Sequence, residues 1–212
     1  MAKHWEVESE QFIFFWGGVF SNWAKANFEA RLYDRPQTHH DVYRMIDMGE
    51  VDIDYPHNLQ TFNCAEQYMM AQKATQFEDH GALLMIMKSS NPKEQKAIGR
   101  SVGNFAPEVW ARIARNLTYI GVYNKFLQNA DLQELLLSTK NKWLVEASAL
   151  DTVWGIGRPP MDTDNGNPAN WLGTNWLGQV LMKVRDDIRS SNDSSFTKID
   201  WTPYENEKLI YG

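Results

Sequence analysis

The stretch FNCAEQYMMAQKA, residues 62–74, predicts the start of a helix. Asn63 is a favourable N-cap, and Glu66 follows three positions later, which is close to a capping box before an apolar run. On a helix, Glu66, Met70 and Lys73 lie on one face at positions i, i+4 and i+7. Glu66 and Lys73 then stand about 10 Å apart along the axis, at ~1.5 Å per residue. A carboxylate and an amine on one wall can flank a substrate.

Both residues also have a simpler interpretation. Glu66 is equally well explained as the capping partner of Asn63. Lys73 is more often, in such a position, a solvated lysine. The residues alone leave these alternatives open.

The flanking sequence predicts further helices and a few short strands. Asn91-Pro92 repeats the start signal, and Gly99 is a plausible stop. Pro107 opens the longest helix, and Thr174 caps the last one. The remaining predicted elements are strands over 12–16, 28–32 and 143–147, helices over 107–128 and 131–138, and a last buried stripe formed by Leu177, Leu181, Val184 and Ile188.

These elements predict an α+β fold, a single helix-dominated domain with a few short strands over residues 1–212. We expect a core of about 12–189, an acidic insertion at 34–58 and a loosely docked C-terminal tail at 190–212. A glycine- and proline-rich loop over 151–173 is long enough to be functional.

Composition excludes several classes of protein. Of 212 residues, 43% are hydrophobic and 23% charged, which is typical of globular proteins and not of disordered or coiled-coil chains. A net charge of −6 disfavours a protein that coats nucleic acid nonspecifically. The single cysteine, Cys64, allows no intramolecular disulfide. The early apolar run, residues 12–20, is too short to span a membrane and follows acidic residues, so we expect neither signal peptide nor membrane span, and a cytoplasmic protein.

The insertion at 34–58 carries six acidic and two basic residues, together with His39 and His40. We interpret it as a solvated surface insertion. His39-His40-Asp41 suggests a metal site, but it lacks the i,i+4 spacing of a helical metal pair, and we expect no metal or other cofactor.

Two further regions are candidates for binding chemistry. Residues 88–125 are basic within an acidic chain, and Arg100, beside Gly99, is the best candidate there to hold a phosphate. Asp151 and Trp154 open a glycine-rich loop, where an acid can accept sugar hydroxyls and an indole can stack on a flat ligand. The sequence contains no GxSxG, HExxH or paired CxxC motif, so serine-hydrolase and zinc-protease chemistry has no support.

Together these motifs resemble the NADAR family, also called YbiA-like, over about residues 12–189. The chain departs from the family pattern in the insertion at 34–58 and in the tail after Ser190. The matching pieces are FSNW at 20–23, residues 62–74, Gly99-Arg100, Trp110, Lys125-Phe126, LLST at 136–139, LVEA at 144–147, Asp151 with Trp154-Gly155, NWLG at 175–178, Leu181-Met182 and Arg185.

The resemblance implies an N-glycosidase that acts on ribosylated substrates, either removing ADP-ribose from guanine or cleaving phosphorylated riboflavin-pathway intermediates. By motif, Glu66, Trp110 and Asp151 are the active-site residues, and Lys73 matches the lysine that closes the helix motif. The same matching makes substrate-binding residues of Asn22, Arg100, Trp154, Gly155 and Asn175.

The chemistry suits these residue types, because breaking a ribosyl C1′–N bond builds positive charge that a carboxylate stabilises. Lys73 acts either as a charge or as a nucleophile through a Schiff base. The favoured substrate is ADP-ribosylated guanine, in nucleic acid or as the nucleoside; the alternatives are a riboflavin-intermediate hydrolase and a non-catalytic ADP-ribose-binding module. We expect no membrane partner and no obligate protein partner.

Overall fold

A computed structural model describes residues 7–33, 59–190 and 199–206. The acidic insertion, with its histidines, lies outside the described residues. The described chain contains six α-helices and a few short strands, which confirms the predicted α+β class. It divides into two compact units. Among described residues, the sheet unit comprises 7–24, 130–190 and 200–206, and the helical unit comprises 25–33 and 59–129 with residue 199.

The helical unit is built around one central helix. Strands β3 (Phe28–Arg31) and β4 (Leu59–Phe62) pair antiparallel and lead into it. The helices are α1 (Ala65–Gln76), α2 (His80–Lys88), α3 (Pro92–Arg100) and α4 (Pro107–Leu127). Helix α1 packs against the other three and is buried at every position but Thr75. The predicted amine and carboxylate of this helix are therefore interior groups.

Aromatic packing fixes α1 in the helical unit. The ring of Tyr68 lies 5.0 Å from that of Phe62 and 6.3 Å from that of Phe28, between centroids. Gly121 on α4 faces the same tyrosine, and a Cβ there would lie 2.3 Å from its ring. The missing side chain lets α4 approach α1 closely.

Two predicted helix starts in this unit agree with the structure, and one predicted helix end does not. Pro107 begins α4 as predicted, and the Asn91 side chain caps α3 by accepting from the Lys93 N–H. The prediction that Gly99 stops a helix is wrong, because α3 continues to Arg100. A Cβ at Gly99 would lie 2.0 Å from the Met70 sulfur, so this glycine permits close packing of α3 on α1. The sequence patterns did not predict α2 or β4 as separate elements.

The sheet unit is a three-stranded sheet with two helices. Strand β2 (Phe12–Phe15) lies in the middle, antiparallel to β1 (Val7–Glu8) and parallel to β5 (Trp143–Glu146). The helices are α5 (Ala130–Ser138) and α6 (Trp176–Ser190). All four residues of β2 are buried, which confirms the buried strand predicted there except at Trp16, which follows the strand and is exposed. The core cluster consists of Phe12, Phe14, Val145, Ala147 and Ile156.

The last helix begins later than expected. The Thr174 hydroxyl donates to the Val153 carbonyl at 2.7 Å, and α6 starts two residues further on, so the predicted Thr174 cap is wrong. Three members of the predicted stripe, Leu177, Leu181 and Val184, are buried as predicted, whereas Ile188 is only half-buried. Among the described residues, no helix is both long and apolar enough to cross a membrane.

The described part of the C-terminal tail packs onto the sheet unit. Trp201 is buried, and the Tyr204 hydroxyl donates to Asp186 on α6 at 3.1 Å. The Asn206 amide donates to the Gly173 carbonyl at 3.2 Å.

Candidate active site

The N-terminus of α1 is capped by a thiol. The Cys64 sulfur accepts from the Gln67 N–H at 3.4 Å, and the Gln67 side chain accepts in return from the Asn63 N–H at 2.8 Å. The predicted Asn63 cap is therefore wrong by one residue. The Asn63 side chain is engaged elsewhere, since its amide donates to the Ser89 carbonyl and its oxygen accepts from Gln95. The reciprocal bond of the cap is made by Gln67 and not by Glu66.

Glu66 occupies the second position of α1 and is 2% exposed. A helix N-terminus carries partial positive charge, which favours a carboxylate there. Burial raises the pKa of the neighbouring Cys64 thiol, and the Glu66 carboxylate raises it further. This first turn is thus shielded from water, and a negative charge there interacts more strongly with neighbouring groups than it would in solvent.

Lys125 is a buried amine whose pKa is influenced by Cys64, the cap of this turn. Lys125 on α4 is 1% exposed, and burial lowers its pKa to about 7, an effect that the Cys64 thiolate opposes. The sequence pattern placed Lys125 only within a basic region. Its match to a family motif was the one signal that could have singled it out.

Two buried glutamines tie the start of α1 to its neighbours. Gln67 donates to the carbonyls of Ile86 and Ser89, and Gln95 donates to Ser89 and accepts from the Cys64 thiol. Both side chains are buried with their polar groups satisfied. The network holds the turn that carries Glu66.

Lys73 lies two turns further along α1 and is 7% exposed. Its Nζ donates to the Gly99 carbonyl at 2.8 Å and lies 3.8 Å from the centroid of the Phe105 ring. Burial lowers the pKa of Lys73 below its usual 10.5. The interpretation of Lys73 as a solvated lysine is therefore wrong.

Arg100 and Trp110 flank the segment that follows α3. Arg100 ends α3 and is exposed, whereas Trp110 is half-buried in the first turn of α4. Phe105 lies between these two residues in the sequence and is 38% exposed. It is not among the predicted site residues. The sequence signal for it is an aromatic residue two positions before Pro107, where a helix is predicted to begin.

In the sheet unit, a turn after β2 carries Asn22. Gly17 and Gly18 have φ values of +83° and +62°, a left-handed conformation that favours glycine. Asn22 is 6% exposed, and its side-chain oxygen has no hydrogen-bond partner within the described ranges. A buried acceptor of this kind can receive a hydroxyl or N–H from a ligand.

The loop after β5 is organised by Asp151. One carboxylate oxygen accepts from the N–H groups of Val153 and Trp154, at 3.0 and 2.8 Å. A Cβ on Gly155 would lie 2.8 Å from the Glu146 carbonyl, so this glycine allows the loop to pack against β5. Trp154 is half-buried and edge-to-face with Trp176 at 5.7 Å between centroids.

Asn175 joins this loop to β5. It is fully buried with a φ of +54°, and its amide accepts from the Glu146 N–H and donates to the Leu144 carbonyl, both at 3.0 Å. Both polar ends of the side chain thus bond to the strand backbone.

The predicted site residues therefore fall into two groups. Glu66, Lys73, Arg100 and Trp110 belong to the helical unit. Asn22, Asp151, Trp154, Gly155 and Asn175 belong to the sheet unit. Within the described ranges, no cluster of three or more His, Cys, Asp or Glu side chains is placed to hold a metal ion.

The chain is similar to a known protein family and to individual members of it. A family model for the NADAR domain matches residues 14–189. The chain is 35% identical over 189 residues to N-glycosidase R617 of Acanthamoeba polyphaga mimivirus, covering 85% of this chain and 98% of that protein. The NMR structure of the E. coli protein YbiA superposes with a TM-score of 0.60 at 24% identity, covering 87% and 89% of the two chains, which supports the fold.

A more distant similarity reaches a riboflavin biosynthesis protein. The chloroplastic PYRR protein of Zea mays is 30% identical over 149 residues, which is 63% of this chain and 22% of that protein. Other relatives, from Nostoc punctiforme and Shigella boydii, are named N-glycosidases.

The chain belongs to the NADAR family, which confirms the resemblance found in the sequence. Three of its relatives are named N-glycosidases, and one of them is matched over nearly its full length. The protein is therefore an N-glycosidase enzyme.

Proposed function

We propose that this enzyme hydrolyses the ribosyl C1′–N bond of ADP-ribosylated guanine, in nucleic acid or as the nucleoside. The observation that carries the proposal is the pair of buried ionisable groups on α1. Glu66 is 2% exposed and Lys73 is 7% exposed. Burial strengthens the electrostatic effect of a charge and changes the protonation of an amine, and both effects serve glycosidic bond cleavage.

Glu66 stabilises the transition state in this proposal. As the C1′–N bond breaks, positive charge develops on C1′ and the ring oxygen. A carboxylate fixed at a helix N-terminus, with little water around it, opposes that charge without reorganising. Its position in the first turn of α1 supports the role.

Lys73 is the nucleophile in this proposal. Burial lowers its pKa and so increases the fraction of neutral amine, whose lone pair forms a bond to C1′ while the C1′–N bond breaks. The electron pair of that bond leaves with guanine, which takes up a proton. The sugar ring then opens to a Schiff base, and water adds to C1′ and releases the amine. The alternative role is electrostatic, with a Lys73 ammonium that binds a phosphate.

The other predicted residues have binding roles in the proposal. Trp110 stacks on the leaving base, and the exposed guanidinium of Arg100 binds a phosphate. The buried oxygen of Asn22 accepts from a sugar hydroxyl, a role that its lack of a partner in the described residues supports. Asp151 uses one carboxylate oxygen for its loop, and the other can orient a sugar hydroxyl.

The remaining predicted binding residues act through the loop. Trp154 offers an aromatic face, while Gly155 and Asn175 hold the loop on β5 through the contacts described above. We place the activity in the cytoplasm as part of the same proposal.

A second candidate substrate is a phosphorylated riboflavin-pathway intermediate, which the similarity to the maize riboflavin protein favours. Both substrates share a ribosyl C–N bond and a phosphate, so the same residues would serve either. They differ in the leaving group.

The test is a parallel incubation of the protein with an ADP-ribosylated guanine oligonucleotide and with riboflavin intermediates, followed by mass spectrometry. Release of ADP-ribose from guanine supports the proposal, and turnover of the riboflavin intermediates alone would favour the second candidate. Tight binding without turnover of either would identify a binding module.

The covalent step has its own test. Borohydride added during turnover reduces a Schiff base, so the protein should gain the mass of the reduced sugar on Lys73. Absence of an adduct, together with substantial activity of Lys73→Arg, would leave Lys73 as a charge.

A further inference from the structure

The Lys73 amine contacts a backbone carbonyl and an aromatic ring. Nζ donates to the Gly99 carbonyl at 2.8 Å and lies 3.8 Å from the Phe105 ring centroid. The carbonyl is reachable because Gly99 lacks a side chain, and any Cβ there would collide with Met70. The amine is therefore held between a fixed acceptor and the face of a ring.

The Phe105 ring is itself held in place from two directions. Its edge packs on Phe77 at 5.2 Å between centroids, in a T-shaped contact. The backbone that leads to it is anchored by Asp79, whose carboxylate accepts from Gly103 at 2.8 Å and from Ala82 at 2.9 Å. The backbone bonds to Asp79 also lower the pKa of that carboxyl, so it stays charged at neutral pH. Phe105 remains 38% exposed, which leaves part of the ring toward solvent.

We propose that Phe105 is a positioning residue for Lys73: its ring seats the amine against the Gly99 carbonyl and keeps water from it. This inference rests on the proposed function of Lys73 and names the residue that prepares the amine for it. Phe105 acts through Lys73 and is not assigned a contact with the reacting atoms.

The ring has two opposite effects on the amine. By excluding water it disfavours the ammonium, which lowers the pKa. By presenting its π face it attracts the ammonium, which raises the pKa. Burial is the cause of the lowered pKa of Lys73, so we expect loss of the cover to outweigh loss of the π face.

Charged side chains also lie on α1 and on the helices that pack against it. They include Glu66 on α1 itself, Asp79 and His80 at the start of α2, Arg100 at the end of α3, and Glu108 and Arg112 in the first turns of α4. The lowered pKa of Lys73 has burial as its cause, so changes at Phe105 act on the leading contribution.

Two substitutions separate the effects because they predict opposite signs. Phe105→Ala removes both the cover and the π face, so the pKa of Lys73 should rise toward its usual value. Phe105→Leu keeps an apolar cover but loses the π face, so the pKa should fall below that of the parent. A side chain that only filled space would shift the pKa in one direction in both variants.

The measurement is an NMR titration of the Lys73 Cε resonance in the full chain without substrate, assigned by its disappearance in Lys73→Arg. Phe105→Trp, which restores a ring, should return the titration midpoint to that of the parent. Leu127→Ala, a truncation of another exposed apolar side chain in the helical unit, should leave it unchanged. Circular dichroism and thermal melts check that each variant is folded.

The inference is overturned if the Lys73 midpoint shifts in the same direction in Phe105→Ala and Phe105→Leu, or if it shifts in neither variant. If Phe105→Ala fails to fold, Phe105→Leu still decides, because its midpoint must lie below that of the parent. Loss of packing alone would admit water and raise it.

Turnover is measured in parallel and separates this inference from the proposed function. With Lys73 as nucleophile, a higher pKa leaves less neutral amine at pH 7, so kcat of Phe105→Ala should fall by the same factor as the fraction of neutral amine obtained from the titration. If the midpoints shift as expected while Lys73→Arg turns over normally, Phe105 still positions the amine, and the nucleophilic role of Lys73 is the part that fails.

Discussion

Replacement of Glu66 by glutamine tests the central assignment, because the geometry separates charge from structure at this position. The bonds that cap α1 run through Cys64 and Gln67, so Glu66→Gln leaves them intact. Glutamine is nearly isosteric, and it removes a buried charge from a side chain that is 2% exposed. We therefore expect the thermal midpoint to stay within a few degrees of the parent.

The expected loss of rate follows from the electrostatics of a dry site. A unit charge about 4 Å from the developing cation contributes roughly 4 kcal/mol at an effective dielectric constant of 20. Removing one fixed transition-state contact typically lowers kcat by about 10²–10³, or roughly 2.7–4 kcal/mol, which is the same order. The kcat of the Glu66→Gln variant should therefore be lower than that of the parent by about a hundredfold or more.

The assay is release of free base from the substrate that the parent turns over, followed by mass spectrometry. Glu108→Gln is the matched control: it removes the same charge from an exposed position on α4 and should keep the parent rate. A folded Glu66→Gln protein with the activity of the parent would refute the assignment of Glu66 as the catalytic carboxylate.

Three further outcomes follow from the contacts described above. Gly99→Ala forces Met70 aside, because its Cβ would lie 2.0 Å from the sulfur, and should cost about 1–3 kcal/mol in urea unfolding; an unchanged midpoint would contradict the close α1–α3 contact. Lys125, with a pKa of about 7 in the fold against 10.5 unfolded, binds fewer protons folded than unfolded between these values. The free energy of unfolding should therefore rise with pH from about 7 to 10, by up to ~1.4 kcal/mol per pH unit, and this slope should be smaller in Lys125→Met. EDTA should leave turnover intact, since the proposed steps use a carboxylate, an amine and water; loss on chelation with recovery on added zinc would return attention to His39 and His40.

Local signals predicted the helix starts that depend on backbone chemistry. Pro107 and Asn91 act within their own turn, so the beginnings of α4 and α3 could be read from a few residues. The start of α1 was predicted one residue early because Asn63 is a better cap than cysteine in general. Here the Asn63 side chain is drawn to Ser89 and Gln95, which are distant in sequence, and the thiol takes its place.

The sequence predicts some functional positions and misses others, because the burial of a side chain depends on residues that are distant in sequence. Lys73 matched a family motif, but its burial depends on Gly99 and Phe105, which lie more than twenty residues away. Lys125 is 1% exposed because α4 packs on α1, and nothing in its own neighbourhood distinguishes it from the solvated lysines nearby. Gly99 predicts a helix stop because glycine commonly ends helices, whereas in the structure it makes room for Met70.

The central helix explains why motif and periodicity disagree in this protein. A surface helix shows an apolar stripe and a polar face, whereas α1 is buried nearly all round and carries polar residues on every side. Each buried polar group then needs a partner from another element, as Gln67 finds in the carbonyls of Ile86 and Ser89 and Lys73 in that of Gly99. Substitution at such a position disturbs two elements at once. A run of residues constrained in this way is recognisable as a motif even though its hydrophobic pattern is weak, and it fixes a carboxylate and an amine on a rigid backbone.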